Sequence, residues 1–339
     1  MTSLTAVDLF CGAGGLSEGL SRTGVDVLGA VDISELAIQA YEENHPNTLV
    51  WRRDIRRLPP AEILRELDLR PGELDLLAGC PPCQGFSTLR THNRSSNVDD
   101  SRNGLVAQFA RFCEVLRPRG LLMENVPGLE SDRRFRLLTK RLERMGYRLT
   151  YGVLDAADYG VPQRRRRFVL LGTLGEPVEF APPTASLVRV RDAIGDIESP
   201  TDSDDDLHNH GERRSQEIIE LIRDIPRDGG SRGDLGPERQ LACHRRVSGW
   251  NDVYGRMAWD APAPTITSGC VNPSKGRFLH PEEDRAITLR EAALLQSFPS
   301  GYRFPLTNGK YKVADLIGNA LPPVFVAHQV RPLVAELSR

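Results

Sequence analysis

The residues best able to do chemistry fall in four short runs. In the first, Gly79-Cys80-Pro81-Pro82-Cys83-Gln84-Gly85-Phe86-Ser87, two thiols stand two residues apart. That spacing suits a zinc ligand pair, a redox couple or a fixed nucleophile. A structural zinc site needs a second close pair, and Cys243 and Cys270 do not form one. Two prolines stiffen the turn, which suits a nucleophile held at Cys83. Only a few per cent of a free thiol is ionised at neutral pH, so nearby arginines or backbone amides must activate it.

The second run is Glu124-Asn125-Val126, whose carboxyl can share a proton with a ring nitrogen when held at a strand end. The third is Gln163-Arg164-Arg165-Arg166-Arg167, just before an apolar stretch. In an extended segment, alternation puts Arg165 and Arg167 on one side. A charge run of this kind is more often a solvated face. The fourth, Asp8-Leu9-Phe10-Cys11-Gly12-Ala13-Gly14-Gly15, is a Gly-rich turn that lets backbone approach a ligand closely. It is not the dehydrogenase pattern G-x-G-x-x-G, because Ser17 occupies the last glycine position. Asp32 and the pair Asp54-Ile55 close the next two expected strands, where a carboxylate can accept from ribose hydroxyls and an adenine can lodge. These features suit a nucleoside-containing cofactor, while a tight structural turn explains the glycines alone equally well.

Such residues need elements to hold them. Apolar runs predict strands at 5–10, 25–33, 49–53, 74–78, 121–126, 148–154 and 168–172. Helical spacing predicts helices at 105–116 and near 135–145, and one beginning after the N-cap Ser34. Strands alternating with helices predict an α/β fold, a doubly wound and mostly parallel sheet. Ligands of such sheets bind at the carboxyl ends of the strands, where the cysteine, carboxyl and glycine runs fall. After about residue 176 the texture changes. Pro177, Pro182, Pro183 and Pro200 break the pattern, 202–206 is acidic, and a Gly-rich stretch at 228–236 follows an amphipathic one at 216–225. That predicts a smaller, loop-rich domain. Further helices are expected at 289–296 and 323–337.

The 339 residues, 40% hydrophobic and 27% charged, are an ordinary globular composition. No run of about 18 apolar residues exists, which excludes a membrane-spanning helix. The N-terminus lacks a secretory pattern, so a cytoplasmic location with reduced thiols is expected. A net charge of −2 excludes a globally basic nucleic-acid coat. Only four of the 44 basic residues are lysine. Arginine is the better bidentate partner for phosphate and guanine, although coding bias explains most of the ratio.

In order, DLFCGAGG, GCPPCQGFS, ENV, QRRRR, TLREAALLQSFP and IGNALPP make the chain resemble, end to end, the DNA cytosine-C5 methyltransferases of bacterial restriction–modification systems. The resemblance implies a Rossmann-like, S-adenosylmethionine-dependent methyltransferase fold. It implies a catalytic and cofactor-binding domain at 1–178 plus 313–339, and a target-recognition domain at 179–312. In that family the cysteine of the Pro-Cys pair is the nucleophile, which here is Cys83. It adds to C6 of a cytosine flipped out of duplex DNA. Glu124 matches the carboxylate that engages N3 and the exocyclic amine, Arg165 the arginine near O2, and Arg167 its supporting neighbour.

The cofactor set implied by the resemblance is Phe10, Gly12, Gly14, Asp32, Ile33, Asp54, Ile55, Pro82, Leu105, Asn319 and Ala320. The polar stretch 87–103 matches the family's DNA-closing lid. Contacts to DNA are expected from Gln84, Ser87, Arg90 and Arg94, and from Arg245, Arg246 and Arg256 in the recognition domain. The implied partners are double-stranded DNA and a cognate restriction endonuclease acting separately; a monomer without metal or membrane contact is expected. Two other readings compete. A related branch methylates transfer RNA, but its Cys-Phe-Thr signature is missing here. A catalytically dead binding module is disfavoured because Cys83, Glu124, Arg165 and the glycine turn are all in place.

Overall fold

The apolar runs of the first half become the strands of one sheet. A computed structural model describes residues 3–82, 104–239 and 252–339. The strands are β1 (Thr5–Leu9), β2 (Asp26–Asp32), β3 (Leu49–Arg52), β4 (Leu76–Gly79), β5 (Gly120–Asn125), β6 (Arg148–Asp155) and β7 (Arg166–Thr173). They lie in the order β3-β2-β1-β4-β5-β7-β6. The first five pair in parallel. Strands β4 and β5 are buried along their whole length, as central strands covered by helices on both faces must be.

The helices that cover the sheet follow from local sequence. Ser34 caps Glu35–Asn44 by accepting from the Ala37 N–H. Leu105–Leu116 turns Val106, Phe109, Ala110, Cys113 and Leu116 inward, a stripe at the spacing that marked it as helical. Arg133–Arg144 buries Phe135, Leu138 and Leu142, with Phe135 edge-on to Phe168 of β7. The helix Pro60–Glu66, which sequence pattern did not mark, starts with proline at its first turn.

One strand departs from the parallel rule. β7 lies between β5 and β6 and is antiparallel to both. Only the stretch 156–165 joins β6 to β7, too short for the crossover of a dozen or more residues that a parallel return needs. The reversal brings the amino end of β7, and not its carboxyl end, beside the end of β5.

The chain divides into two compact units. The first holds Met1–Tyr159, Arg166–Pro183 and Leu321–Arg339. Its last helix, Pro323–Leu337, packs so closely on Gly15–Ser21 that a Cβ at Gly19 would lie 2.4 Å from the Val326 Cβ. The second unit holds Gly160–Arg165 and Thr184–Ala320. Its helices are short (Val190–Ile194, Gln216–Asp224, Leu289–Leu295, Lys310–Asn319), and loops make most of the rest. One of its cores gathers Leu221, Ile222, Ile225, Tyr254 and Leu279. The division differs from the expected cut at residues 178 and 313: 160–165 and 313–320 group with the second unit, and 179–183 with the first. The side chains of Gln163 and Arg165 bond inside that unit, and Pro322-Pro323 separates the helix ending at Asn319 from the one that follows.

Candidate active site

The glycine turn leaves β1 through left-handed backbone. Phe10, Gly12 and Gly14 have φ of 64°, 54° and 92°. For phenylalanine that conformation costs energy, and such strain concentrates at functional turns. Asp32, at the end of β2, holds the turn: its Oδ2 accepts from the Gly12 N–H at 2.9 Å and its Oδ1 from Ser34 N–H at 2.8 Å. The next residue, Ile33, is 69% exposed, a large apolar side chain beside a carboxylate. Asp54 is tied to its own loop, because the Arg56 guanidinium grips it and holds its carboxyl down at about 2. Ile55 is buried and its carbonyl accepts from Arg111.

Beneath the turn runs a buried polar chain. Tyr41 Oη donates to Ser17 Oγ at 2.8 Å, and Ser17 Oγ donates to Asp8 Oδ2 at 2.7 Å. Ser17 therefore uses the place a dehydrogenase gives to glycine for a link in this chain. Asp8 is fully buried and its Oδ1 has no partner. Burial pushes its carboxyl up to about 7. His45 packs against Tyr41 with ring centroids 4.6 Å apart and the rings tilted by 41°, and bonds Gly14 backbone; burial brings its imidazole down to about 4.

The carboxylate of the second run sits at the last turn of β5. Glu124 Oε1 receives Arg167 Nε at 2.8 Å, with both side chains mostly buried. Asn125 Nδ2 donates to the Pro81 carbonyl at 2.9 Å, tying β5 to the segment that leads toward Cys83. The Cys80 thiol bonds to Glu124, and burial together with that negative charge holds it well above its usual range. No group of three or more metal-ligating side chains occurs among the described residues.

Within the second unit, the chain is clamped by buried amides and guanidinium groups. Gln163 Nε2 donates to the Leu295 carbonyl at 3.2 Å and to Gln296 Oε1 at 2.8 Å, while its Oε1 accepts from Ile266 N–H at 2.7 Å. Arg165 donates to the carbonyls of Ile266 and Gly318 at 2.9 and 2.8 Å. A Cβ at Gly318 would fall 2.2 Å from the Thr267 backbone, so this approach requires glycine.

Several expectations change. Strand β7 begins at Arg166, so the alternation expected to put Arg165 and Arg167 on one side does not apply. Arg165 lies before the strand and holds second-unit carbonyls, while Arg167 meets Glu124. Arg256, expected at DNA, is fully buried. Its five N–H groups go to the carbonyls of Ile222, Ile225, His280 and Glu283 and to Asp284. A guanidinium so used has no donor left for a base edge. Phe10, Gly12, Gly14, Asp32, Ile33, Asp54, Ile55, Pro82 and Leu105 fall in the first unit, Asn319 and Ala320 in the second. Cys83, Gln84, Ser87, Arg90, Arg94, Arg245, Arg246 and the stretch 87–103 lie outside the described residues. Sequence pattern does not show the contact of Cys80 with Glu124, although Cys80 directly follows β4 and Glu124 is the next-to-last residue of neighbouring β5.

The strand order, with its one reversed strand, is that of the α/β fold of S-adenosylmethionine-dependent methyltransferases. The chain belongs to the C-5 cytosine-specific DNA methylase family, whose model matches residues 4–333, and it is an enzyme of the DNA (cytosine-5)-methyltransferase class. It is 36% identical to the Type II methylase M.HgiDII of Herpetosiphon aurantiacus, over 93% of this chain and 91% of that one. It is 34% identical to the Type II methyltransferase M1.HphI of Haemophilus parahaemolyticus, over 95% and 84% of the two chains. A prophage-encoded E. coli protein described as a DNA modification methyltransferase superposes with a TM-score of 0.72 at 27% identity, covering 99% of this chain and 100% of its own.

Two predictions follow from this geometry. Asp8 takes up its proton near 7 in the folded chain, against 3.8 ordinarily. Folding therefore binds a proton, and stability from this group is greatest below pH 4, falls as pH rises to 7 and is level above. The span is worth at most about 4 kcal/mol. Asp8→Asn is expected to remove that slope in urea unfolding between pH 5 and 8; parallel curves for variant and parent would contradict it. Arg256→Ala is expected to cost about 3–5 kcal/mol of stability by stranding buried acceptors. Unchanged unfolding with weakened DNA binding would return Arg256 to the DNA-reading set.

Proposed function

We propose that this enzyme transfers the methyl group of S-adenosylmethionine to C5 of a flipped-out cytosine in a specific duplex DNA sequence, through a transient bond between Cys83 and C6. The observation that carries the proposal is the Glu124–Arg167 pair, set at the end of β5 beside the segment that runs into Cys83. A carboxylate fixed by a guanidinium can present a defined edge to N3 and the exocyclic amine. In the proposed step the Cys83 thiolate bonds to C6 and the ring electrons move to C5. Glu124 lowers the cost of charge gathering on the ring. C5 would then take the methyl group as its bond to the sulfonium sulfur breaks and leaves a neutral thioether; a base removes the C5 proton, and the C6–sulfur bond breaks to return Cys83 as the thiolate.

S-adenosylmethionine supplies an electrophilic methyl group on a sulfonium sulfur. The first unit has a set of residues that fits its nucleoside part. Asp32 offers a carboxylate whose remaining lone pairs can take ribose hydroxyls, and exposed Ile33 offers an apolar cover for adenine. Phe10, Gly12 and Gly14 shape the turn beside it, and Asp54, Ile55, Pro82 and Leu105 complete the proposed set. Asn319 and Ala320 are added from the sequence resemblance alone.

In this proposal Arg167, in contact with Glu124, takes the place near the cytosine that the resemblance gave to Arg165, and Arg165 becomes a positioning residue. Residues 179–312, less the clamp segments, would read the DNA sequence, with Gln84, Ser87, Arg90, Arg94, Arg245 and Arg246 as contacts. A monomer in the cytoplasm, paired with a separately acting restriction endonuclease, completes the reading. No helix among the described residues is long and apolar enough to cross a membrane.

Bisulfite sequencing of DNA from cells expressing the chain tests the proposal. Protected cytosines are expected at one short motif, and Cys83→Ala is expected to abolish protection while DNA affinity stays within about threefold. Protection that persists in Cys83→Ala would overturn the covalent route, and no protected cytosine in the parent would overturn the reaction.

A further inference from the structure

The first thiol of the Cys80-Pro81-Pro82-Cys83 run has no part in the reaction set out above, yet its position is specific. Strands β4 and β5 pair in parallel, with Gly79 opposite Met123. The next pair along that ladder is Cys80 and Glu124, and paired residues in a ladder point to the same face of the sheet. The backbone at Cys80 is fixed from both sides. Its N–H donates to the Leu9 carbonyl at 3.2 Å, extending the β1–β4 ladder, and Asn125 Nδ2 holds the following Pro81 carbonyl at 2.9 Å. Glu124 thus stands between two partners, the Cys80 thiol toward β4 and Arg167 on β7.

We infer that Cys80 is a positioning residue for methyl transfer: its S–H donates to the Glu124 carboxylate and, together with Arg167, fixes the edge of that carboxylate facing the cytosine ring. The inference rests on the function proposed above. A carboxylate held by Arg167 alone can still turn about its last bond. A second donor on a neighbouring strand removes that freedom, and a side chain as short as cysteine gives up little entropy in doing so.

The same contact separates the two thiols of the run. Burial and the charge of Glu124 keep Cys80 protonated at neutral pH, so it remains a donor. It neither competes with Cys83 as a nucleophile nor offers a thiolate to zinc.

The test uses the full chain, Cys80→Ala and Cys80→Ser. Proteins labelled with 13C-glutamate are compared by NMR at one fixed pH without DNA or cofactor, the Glu124 carboxyl signal being identified by its loss in Glu124→Gln. Steady-state rates on duplex DNA are measured in parallel. In Cys80→Ala, the Glu124 carboxyl signal is expected to move, and kcat to fall about tenfold with KM values changed less than about twofold. Serine, which restores a donor, is expected to return both readings toward the parent. The inference is overturned if the Glu124 carboxyl signal is the same in the parent and in Cys80→Ala, if kcat is unchanged, or if serine rescues no better than alanine. Should Cys80→Ala fail to fold, the serine variant decides: a kcat within about threefold of the parent supports a donor role, and a larger loss refutes it. A parent enzyme without DNA methylation would sink the proposed function, while the NMR comparison would still judge the contact.

Discussion

The reacting end of the sheet depends on one contact, the Arg167 guanidinium against the Glu124 carboxylate. Taking either charge out of water alone would be costly, so each residue is tolerable there only because of the other. The contact in turn requires the reversed strand. Phe168 of β7 pairs with Asn125 of β5, which delivers Arg167 just past the strand end. A parallel strand would have brought its carboxyl end to this edge. Because β7 runs the other way, Arg167 at its start arrives beside Glu124 near the end of β5.

That run is shared between two jobs. The division of the chain falls between Arg165 and Arg166. Arg167 holds a carboxylate, whereas Arg165 holds backbone carbonyls of Ile266 and Gly318. Arg256 does the same on a larger scale. The second unit has short helices and, among its described residues, only isolated bridges in place of strand ladders. Its carbonyls still need donors, and a guanidinium offers five in a rigid fork. Buried arginine here replaces the ladder that a sheet would provide.

These uses set what could be read from sequence. Local periodicity was enough for the helices Leu105–Leu116 and Pro323–Leu337, whose limits match their apolar pattern. It was enough for the strands too, because central parallel strands are continuous apolar runs. Direction was not legible, since the reversal of β7 follows from the length of its connection. Nor was burial of charge: Arg256 looks in sequence like any groove-reading arginine, and only tertiary packing turns it inward. Cys80 suggested zinc because spacing shows neighbours along the chain, while its partner Glu124 lies across a strand pair.

The most direct measurement is a double-mutant cycle on kcat for methyl transfer to duplex DNA, with Glu124→Gln, Arg167→Gln and both together. If the two side chains work as one unit, the double variant loses no more than about threefold beyond the worse single one. Losses that multiply, as for independent residues, would contradict the account.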